Sequence, residues 1–103
     1  MGAQLGQAAV MKLVYAPEVR ADLLRIRSFY LEFDSNRGLR LGVQLRAELK
    51  LLNRYPRLGQ RIDDAALGDV EMRRLMISGC DVRYAIAGRE VRVLRSWHER
   101  EDR

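Results

Sequence analysis

The sequence predicts an α+β domain in which two helices cover one face of a small sheet. In the first half, apolar residues recur at helical spacing, and in the second half they alternate with polar residues. Turn signals divide the alternating half into three short strands, which indicates an antiparallel meander. The predicted order is therefore strand, helix, helix and three strands.

The first half contains the predicted strand and both helices. A short strand covers residues 12–15, and Ala16-Pro17-Glu18 opens a helix, because proline fits the first turn and an acidic residue suits the positive helix terminus. A break at Asp34-Ser35-Asn36 caps the second helix, and Tyr55-Pro56 ends it. The two apolar stripes are Val19, Leu23, Ile26, Tyr30 and Phe33, then Leu41, Leu45, Leu49 and Leu52.

Two glycines lie one turn apart in the second helix, at Gly38 and Gly42. Glycine lowers helix stability, so we expect these residues to allow a close approach of the first helix. After the second helix, residues 57–69 are predicted to form a loop.

The meander is expected to turn at Ser78-Gly79 and at Ala87-Gly88. Because side chains alternate along a strand, Val91 and Val93 are predicted to share the core face with Arg95 and Trp97. The other face would carry Arg92 and Leu94. In the middle strand, Val82, Tyr84 and Ile86 share one face, and Arg83 and Ala85 share the other.

The composition describes one soluble domain with a basic surface. Residues 1–10 are predicted to form a flexible extension, and residues 11–103 a single domain. The net charge is +5, and only Lys12 and Lys50 among the 19 basic residues are lysines. Arginine grips phosphate or carboxylate at two points, so an acidic protein or a nucleic acid is a fitting partner. A GC-rich codon bias explains the arginine content equally well.

Several classes of function have little support in the residues. The single cysteine, Cys80, and the single histidine, His98, exclude an internal disulfide and make a metal cluster or hydrolase triad improbable. No glycine-rich phosphate loop is present, and we expect no cofactor. No apolar run is long enough to span a membrane, so a cytoplasmic location is expected.

Arginines interleaved with aromatic residues carry the strongest functional signal. Guanidinium groups beside aromatic rings suit a nucleic-acid backbone, splayed bases or an acidic peptide. The alternative is that they pair with carboxylates on neighbouring strands. The predicted target-binding residues are Arg73, Arg83, Arg95, Trp97, His98 and Arg100.

Three segments together resemble the RelE/ParE toxin superfamily of bacterial type II toxin–antitoxin operons. They are the opening MKLVYAPEVRADL, the segment YPRLG after the second helix, and the closing run VLRSWHERED. The resemblance extends from Lys12 to Asp102, and it implies a strand–helix–helix–three-strand fold.

The resemblance implies one of two targets. RelE-like members are ribosome-dependent mRNA endonucleases, and for such an enzyme Arg74, His98 and Arg100 are the candidate catalytic residues. ParE-like members inhibit DNA gyrase without cutting nucleic acid. Asp81 stands where RelE-like proteins often carry arginine, and the sequence ends at Arg103, before the position of their catalytic tyrosine. The chain is therefore more similar to ParE, with a non-toxic antitoxin-binding member as a third alternative.

The resemblance also implies growth inhibition, plasmid stabilisation and neutralisation by an acidic antitoxin from the same operon. Apolar residues beside the helical stripes are the predicted antitoxin contacts, namely Leu24, Leu31 and Leu51. An edge strand of the meander would accept an extended segment of the antitoxin. The tail with Arg95, His98 and Arg100 is expected to be exposed and to tolerate alanine.

Overall fold

The computed structural model describes residues 10–33, 35–62 and 70–99. Strand β1 (Lys12–Tyr15) leads into helix α1 (Pro17–Phe33) and helix α2 (Ser35–Leu49), which continues as a short 3-10 helix (Lys50–Asn53). The strands that follow are β2 (Gln60–Ile62), β3 (Glu71–Ile77), β4 (Cys80–Ala87) and β5 (Glu90–His98). The predicted α+β class and element order are confirmed.

The strands form one five-stranded sheet in the order β1-β5-β4-β3-β2. Strand β1 pairs in parallel with β5, and the other neighbours are antiparallel. The prediction of a loop over residues 57–69 is wrong at Gln60–Ile62, where β2 pairs with Met72–Arg74. Three residues are too few to show an alternating pattern, so this strand left no sequence signal.

The core lies between the two helices and one face of the sheet. Val19 and Ile26 of α1 and Leu45 and Leu49 of α2 are at most 3% exposed, as the helical stripes predicted. They pack against the sheet residues Ile77, Cys80, Val82, Tyr84, Ile86, Val91 and Val93. The opposite face of the sheet, which we call the outer face, carries Arg83 and Ala85 on β4.

Strand β5 contains a bulge that changes which of its side chains reach the core. Tyr84 pairs with Val93 and Arg83 pairs with Arg95, so Leu94 is an extra residue on β5. An extra residue shifts the alternation by one position. Beyond it, Ser96 and His98 are buried on the helix side, and Arg95 and Trp97 lie on the outer face. The prediction that Arg95 and Trp97 share the core face with the valines is therefore wrong.

The two meander turns have the glycine geometry that the sequence predicts. Ser78 and Gly79 both have positive φ, 51° and 75°, as a two-residue type I′ turn requires. The second turn consists of Gly88, whose φ is 58°, and Arg89, because Ala87 ends β4 and pairs with Glu90. The prediction of Ala87 as a turn residue is therefore wrong. These short turns fix the register of β3, β4 and β5.

The segment Tyr55-Pro56-Arg57-Leu58-Gly59 is held by a buried tyrosine. The Tyr84 hydroxyl donates a hydrogen bond to the Pro56 carbonyl at 2.7 Å and accepts one from the Gly59 amide at 2.9 Å. A Cβ atom at Gly59 would lie 2.6 Å from the Arg74 carbonyl oxygen. Only glycine fits there, and burial raises the pKa of Tyr84.

The expected role of Gly42 is wrong. A Cβ atom at this position would meet nothing within 4 Å, so Gly42 does not allow a close approach of α1. The surroundings of Gly38 lie outside the side chains that the structure describes. Glycine lowers the stability of the helix at position 42, and no close packing among the described residues offsets this loss.

Gly42 and Gly88 form a matched pair for a stability measurement. Both positions have room for a methyl group, but only Gly88 has a positive φ. We expect Gly42→Ala to raise the free energy of unfolding by about 0.5–1 kcal/mol, because alanine favours the helix. Gly88→Ala should lower it by about 1–2 kcal/mol, because the left-handed conformation strains an L side chain. Urea denaturation of both variants measures the difference, and destabilisation by Gly42→Ala would contradict the open space.

Candidate target-binding face and partner groove

A row of arginines crosses the outer face of the sheet. In the strand register, Arg74 of β3 pairs with Arg83 of β4, which pairs with Arg95 of β5. Gln60 of β2 extends the row beside Arg74. The three arginine side chains, called the arginine row below, are 42–44% exposed. The sheet thus aligns three cations that are far apart in sequence.

Asp81 lies next to the arginine row and is 1% exposed. Its carboxylate is 3.1 Å from Arg74 Nε and 3.7 Å from Arg83 Nη2. An exposed carboxylate at this position would repel a phosphate. In the structure the Asp81 carboxylate is buried and forms ion pairs with two guanidinium groups. It therefore holds Arg74 and Arg83 in place from below the outer face.

Trp97 occupies the neighbouring position on the outer face, opposite Asp81. The guanidinium carbons of Arg83 and Arg95 lie 5.4 Å and 4.9 Å from the centroid of its ring. Cations within about 6 Å of an indole are attracted by the π-electron face. Trp97 therefore orders the two arginines at this end of the row.

Asp22 of α1 attaches the bulged end of β5 to the helices. Strand β1 ends opposite Val93, so within the described part of the chain no strand pairs with this side of β5 beyond that residue. Asp22 instead accepts a hydrogen bond from the Ser96 amide at 2.9 Å and two from Arg95 at 2.7 and 3.1 Å. Arg25 donates to Asp22 at 2.6 Å and to the Ser96 carbonyl at 3.0 Å. We call this set the Asp22 clamp.

The clamp favours the ionised form of Asp22. Burial alone would raise its pKa, but the hydrogen bonds from Arg95, the Ser96 amide and Arg25 outweigh it and hold the pKa below its ordinary value. Asp22 is 2% exposed. The ionised carboxylate is therefore part of the folded structure. The sequence analysis did not select Asp22, although an acidic residue three positions after Val19 and four before Ile26, on the apolar side of α1, was a usable signal.

A groove of about 890 Å³ runs between the two helices. Its apolar lining includes Leu23 and Leu24 of α1 and Leu41, Val43 and Leu45 of α2. Leu24 and Val43 are 63% and 74% exposed, which is unusual for large aliphatic side chains. Four cations also line it, namely Arg20, Arg27, Arg46 and Lys50. An amphipathic segment with acidic residues matches this combination.

Comparison with known families identifies the chain. The family model described as the ParE toxin of the type II toxin–antitoxin system, parDE, matches residues 13–103. The chain belongs to the ParE toxin family. A solved structure of the chromosomal ParDE TA system from P. aeruginosa has the same fold, with a TM-score of 0.71 at 19% identity, covering 87% of this chain and 97% of that one. No curated protein sequence matches the chain.

The arginine row and Trp97 bring together three of the predicted target-binding residues of this ParE toxin: Arg83, Arg95 and Trp97. Arg73 lies apart from them, with its side chain 15% exposed. It donates hydrogen bonds to Glu71 at 2.5 Å and to the Gly59 carbonyl at 2.6 Å, so it supports the loop before β2. Arg100 lies outside the described residues. Arg74 was proposed only for catalysis but belongs to the row.

His98 is buried rather than exposed. It is 2% exposed, and its ring stacks on Phe29 with 6.3 Å between centroids. The expectation of an exposed tail is therefore wrong for His98, and alanine there would remove core packing. His98 points to the helix side of the sheet, whereas Arg74 lies on the outer face. The structure does not bring these two proposed catalytic residues together.

Among the predicted antitoxin contacts, Leu24 lines the groove. Leu31 is partly buried and Leu51 is 45% exposed, and neither belongs to the lining. Sequence reasoning did not select Val43 as a contact, although its position off the stripe of α2 was a usable signal. No helix in the described part of the toxin is both long and apolar enough to cross a membrane.

The pH dependence of stability provides a test of the Asp22 clamp. A carboxyl group whose folded pKa is depressed stabilises the fold above its unfolded pKa, about 3.9, and loses this contribution as pH falls through the folded value. We expect Asp22→Asn to lower the free energy of unfolding at pH 7 by about 1–2 kcal/mol, a value reduced for the exposure of both arginines.

The difference between wild type and Asp22→Asn should shrink as the pH falls below about 4. Urea denaturation across the acid range measures it. Glu32→Gln, which removes the same charge from an exposed position of α1, should change stability by less than about 0.5 kcal/mol. Equal effects of the two variants at pH 7 would show that Asp22 has no special role.

Proposed function

We propose that this ParE toxin acts on DNA gyrase, without cutting nucleic acid itself, and is neutralised by a cognate antitoxin. Family membership supports the toxin role, and the resemblance of the sequence to ParE-like members implies gyrase as the target. The main evidence against an endonuclease is that Arg74 and His98 lie on opposite faces of the sheet. A general acid or base must lie within hydrogen-bonding reach of the reacting group, and His98 is buried on the other side of the sheet.

The antitoxin is proposed to occupy the groove between α1 and α2. A helix lays its apolar side into a hydrophobic groove at positions spaced by three and four residues. Exposed Leu24 and Val43 provide apolar contacts, and Gly42, which also lines the groove, leaves open space. The four cations at the groove would speed association with an acidic segment more than they set its affinity.

A comparison of two purified reactions tests the choice of target. With gyrase and supercoiled plasmid, we expect the toxin to cause accumulation of cleaved gyrase–DNA complexes. With a reconstituted translation system, the mRNA should stay intact. Codon-periodic mRNA cuts with unaffected gyrase would establish the endonuclease instead, and no effect in either reaction would favour a non-toxic antitoxin-binding protein.

A substitution at the groove tests the proposed antitoxin site. Val43→Glu places a charge in the groove at a position that is 74% exposed, so the fold should be unchanged. Calorimetric titration with the product of the adjacent reading frame should show affinity reduced by at least about thirtyfold, as for a binding hot spot. Leu58→Glu, at an exposed loop position away from the groove, should bind like wild type.

The Val43→Glu variant also distinguishes the groove from the arginine row. Val43→Glu should still act on gyrase, because the arginine row lies on the other side of the sheet. Unchanged affinity of Val43→Glu for the antitoxin would place the antitoxin elsewhere on the toxin.

A further inference from the structure

The three arginines of the row outnumber the carboxylates that pair with them among the described residues. Asp81 pairs with Arg74 and Arg83, and Asp22 pairs with Arg95. Like charges directly opposite each other on adjacent strands destabilise a sheet. An anion bound between these guanidinium groups would reduce their mutual repulsion.

Arg83 is the least satisfied member of the row. Its contact with Asp81 is 3.7 Å long, and its buried Nε has no hydrogen-bond acceptor among the described residues. A buried donor without an acceptor destabilises a protein. Arg83 stands in the middle of the row, so an anion bound there would contact all three side chains.

The geometry of the row suits the backbone of a nucleic-acid strand. Neighbouring strands lie about 4.8 Å apart, so three guanidinium groups span about 10 Å. One strand of duplex DNA carries a phosphate about every 3.4 Å along the helix axis, and an extended single strand spaces them further apart, so the long arginine side chains of the row can reach about two or three consecutive phosphates. Trp97 beside the row adds an indole and ordered guanidinium planes, on which splayed bases can stack.

The outer face suits a nucleic acid better than an acidic peptide. Arginine clusters can also bind acidic peptides, but most of the affinity in a peptide or protein complex comes from a few anchors buried in pockets. The apolar groove of this toxin lies on the helix side, whereas the row consists of cations and one aromatic ring on the face of a sheet. Phosphate contacts need only aligned cations with forked donors.

We propose that the arginine row and Trp97 bind a single strand of DNA through its phosphates. The inference rests on the proposed function, which brings the toxin to a complex of gyrase with DNA. Arg74, Arg83 and Arg95 hold successive phosphates, and Trp97 lies against a neighbouring base. Binding the DNA strand would then be part of how the toxin recognises its target.

Direct binding of oligonucleotides without gyrase tests this proposal. Fluorescence anisotropy of a labelled single-stranded DNA should show affinity that falls with salt, with a slope of log K against log salt of about −2 for three phosphate contacts. Arg83→Gln should weaken binding by about tenfold and make the slope about 0.7 less steep. Arg83→Lys should retain the slope, because the charge remains.

The matched control is Arg40→Gln, which removes one positive charge from an exposed position of α2 away from the row. It should change affinity by no more than about twofold, since long-range charge effects are screened by salt. Circular dichroism and urea denaturation verify that each variant is folded. If Arg95→Gln unfolds through loss of the Asp22 clamp, Arg74→Gln and Arg83→Gln carry the test.

Three results would overturn the proposal: no salt-dependent binding, equal losses for Arg83→Gln and Arg40→Gln, or preference for RNA or for a polyglutamate peptide over single-stranded DNA. The proposed function fails separately. Gyrase poisoning without oligonucleotide binding would refute only the DNA site. Oligonucleotide binding without any effect on gyrase would support the site and refute the gyrase target.

Discussion

The carboxylate of Asp22 is the interaction on which the functional half of this ParE toxin depends. It lies where a further strand would otherwise pair with β5, and it takes the place of that strand by accepting the Ser96 amide hydrogen bond. Arg25 also takes the place of a paired strand, because it donates a hydrogen bond to the Ser96 carbonyl. A helix side chain thereby satisfies backbone groups at a sheet edge, which would otherwise be open to solvent or to another chain.

The clamp and the bulge at Leu94 act together. The bulge turns Ser96 and His98 toward the helices and Arg95 and Trp97 toward the outer face. The clamp then binds Arg95 and fixes this arrangement, so that Arg95 aligns with Arg83 and Arg74. Without the extra residue, Arg95 and Trp97 would face the helices in place of Ser96 and His98, and the arginine row would end at Arg83. One inserted residue and one carboxylate thus determine the composition of the outer face.

The fold places two different surfaces on opposite sides of one small sheet. The groove between the helices combines aliphatic side chains with a basic border, and the outer face combines aligned arginines with Trp97. The first has the character of a protein-binding site and the second that of an anion-binding site. The separation means that a substitution on one surface can be made without changing the other.

Most of the fold could be predicted from local patterns. Helical stripes, the proline at the start of α1 and the glycines of the turns each reflect a physical preference of a few neighbouring residues, and the structure agrees with them. Strand β2 is too short for such a pattern. The bulge at Leu94 depends on the pairing of β4 with β5, which no single strand encodes. Asp22 and Ser96 meet across 74 residues, so their contact lies beyond local reasoning.

In the candidate site, too, residue types could be recognised from the sequence, but their positions depend on the tertiary structure. The arginines and Trp97 were recognisable by type, because guanidinium and indole groups have distinctive chemistry. The faces on which Arg95 and Trp97 lie were not predictable, since one inserted residue reverses the alternation. His98 was expected on the surface because it was assigned to an exposed tail, whereas it lies within β5. The position of Arg73 follows from its bonds to Glu71 and the Gly59 carbonyl, which require the tertiary structure.

Amide hydrogen exchange at Ser96 tests the central claim most directly. In the wild-type toxin, the Ser96 amide should be strongly protected, although no strand in the described part of the chain pairs with this side of β5, because it donates to a buried carboxylate. In Asp22→Ala, protection of Ser96 should fall sharply, while the amides of β4 in the centre of the sheet remain protected. A Ser96 amide that exchanges in wild type as fast as an unstructured amide would contradict the clamp.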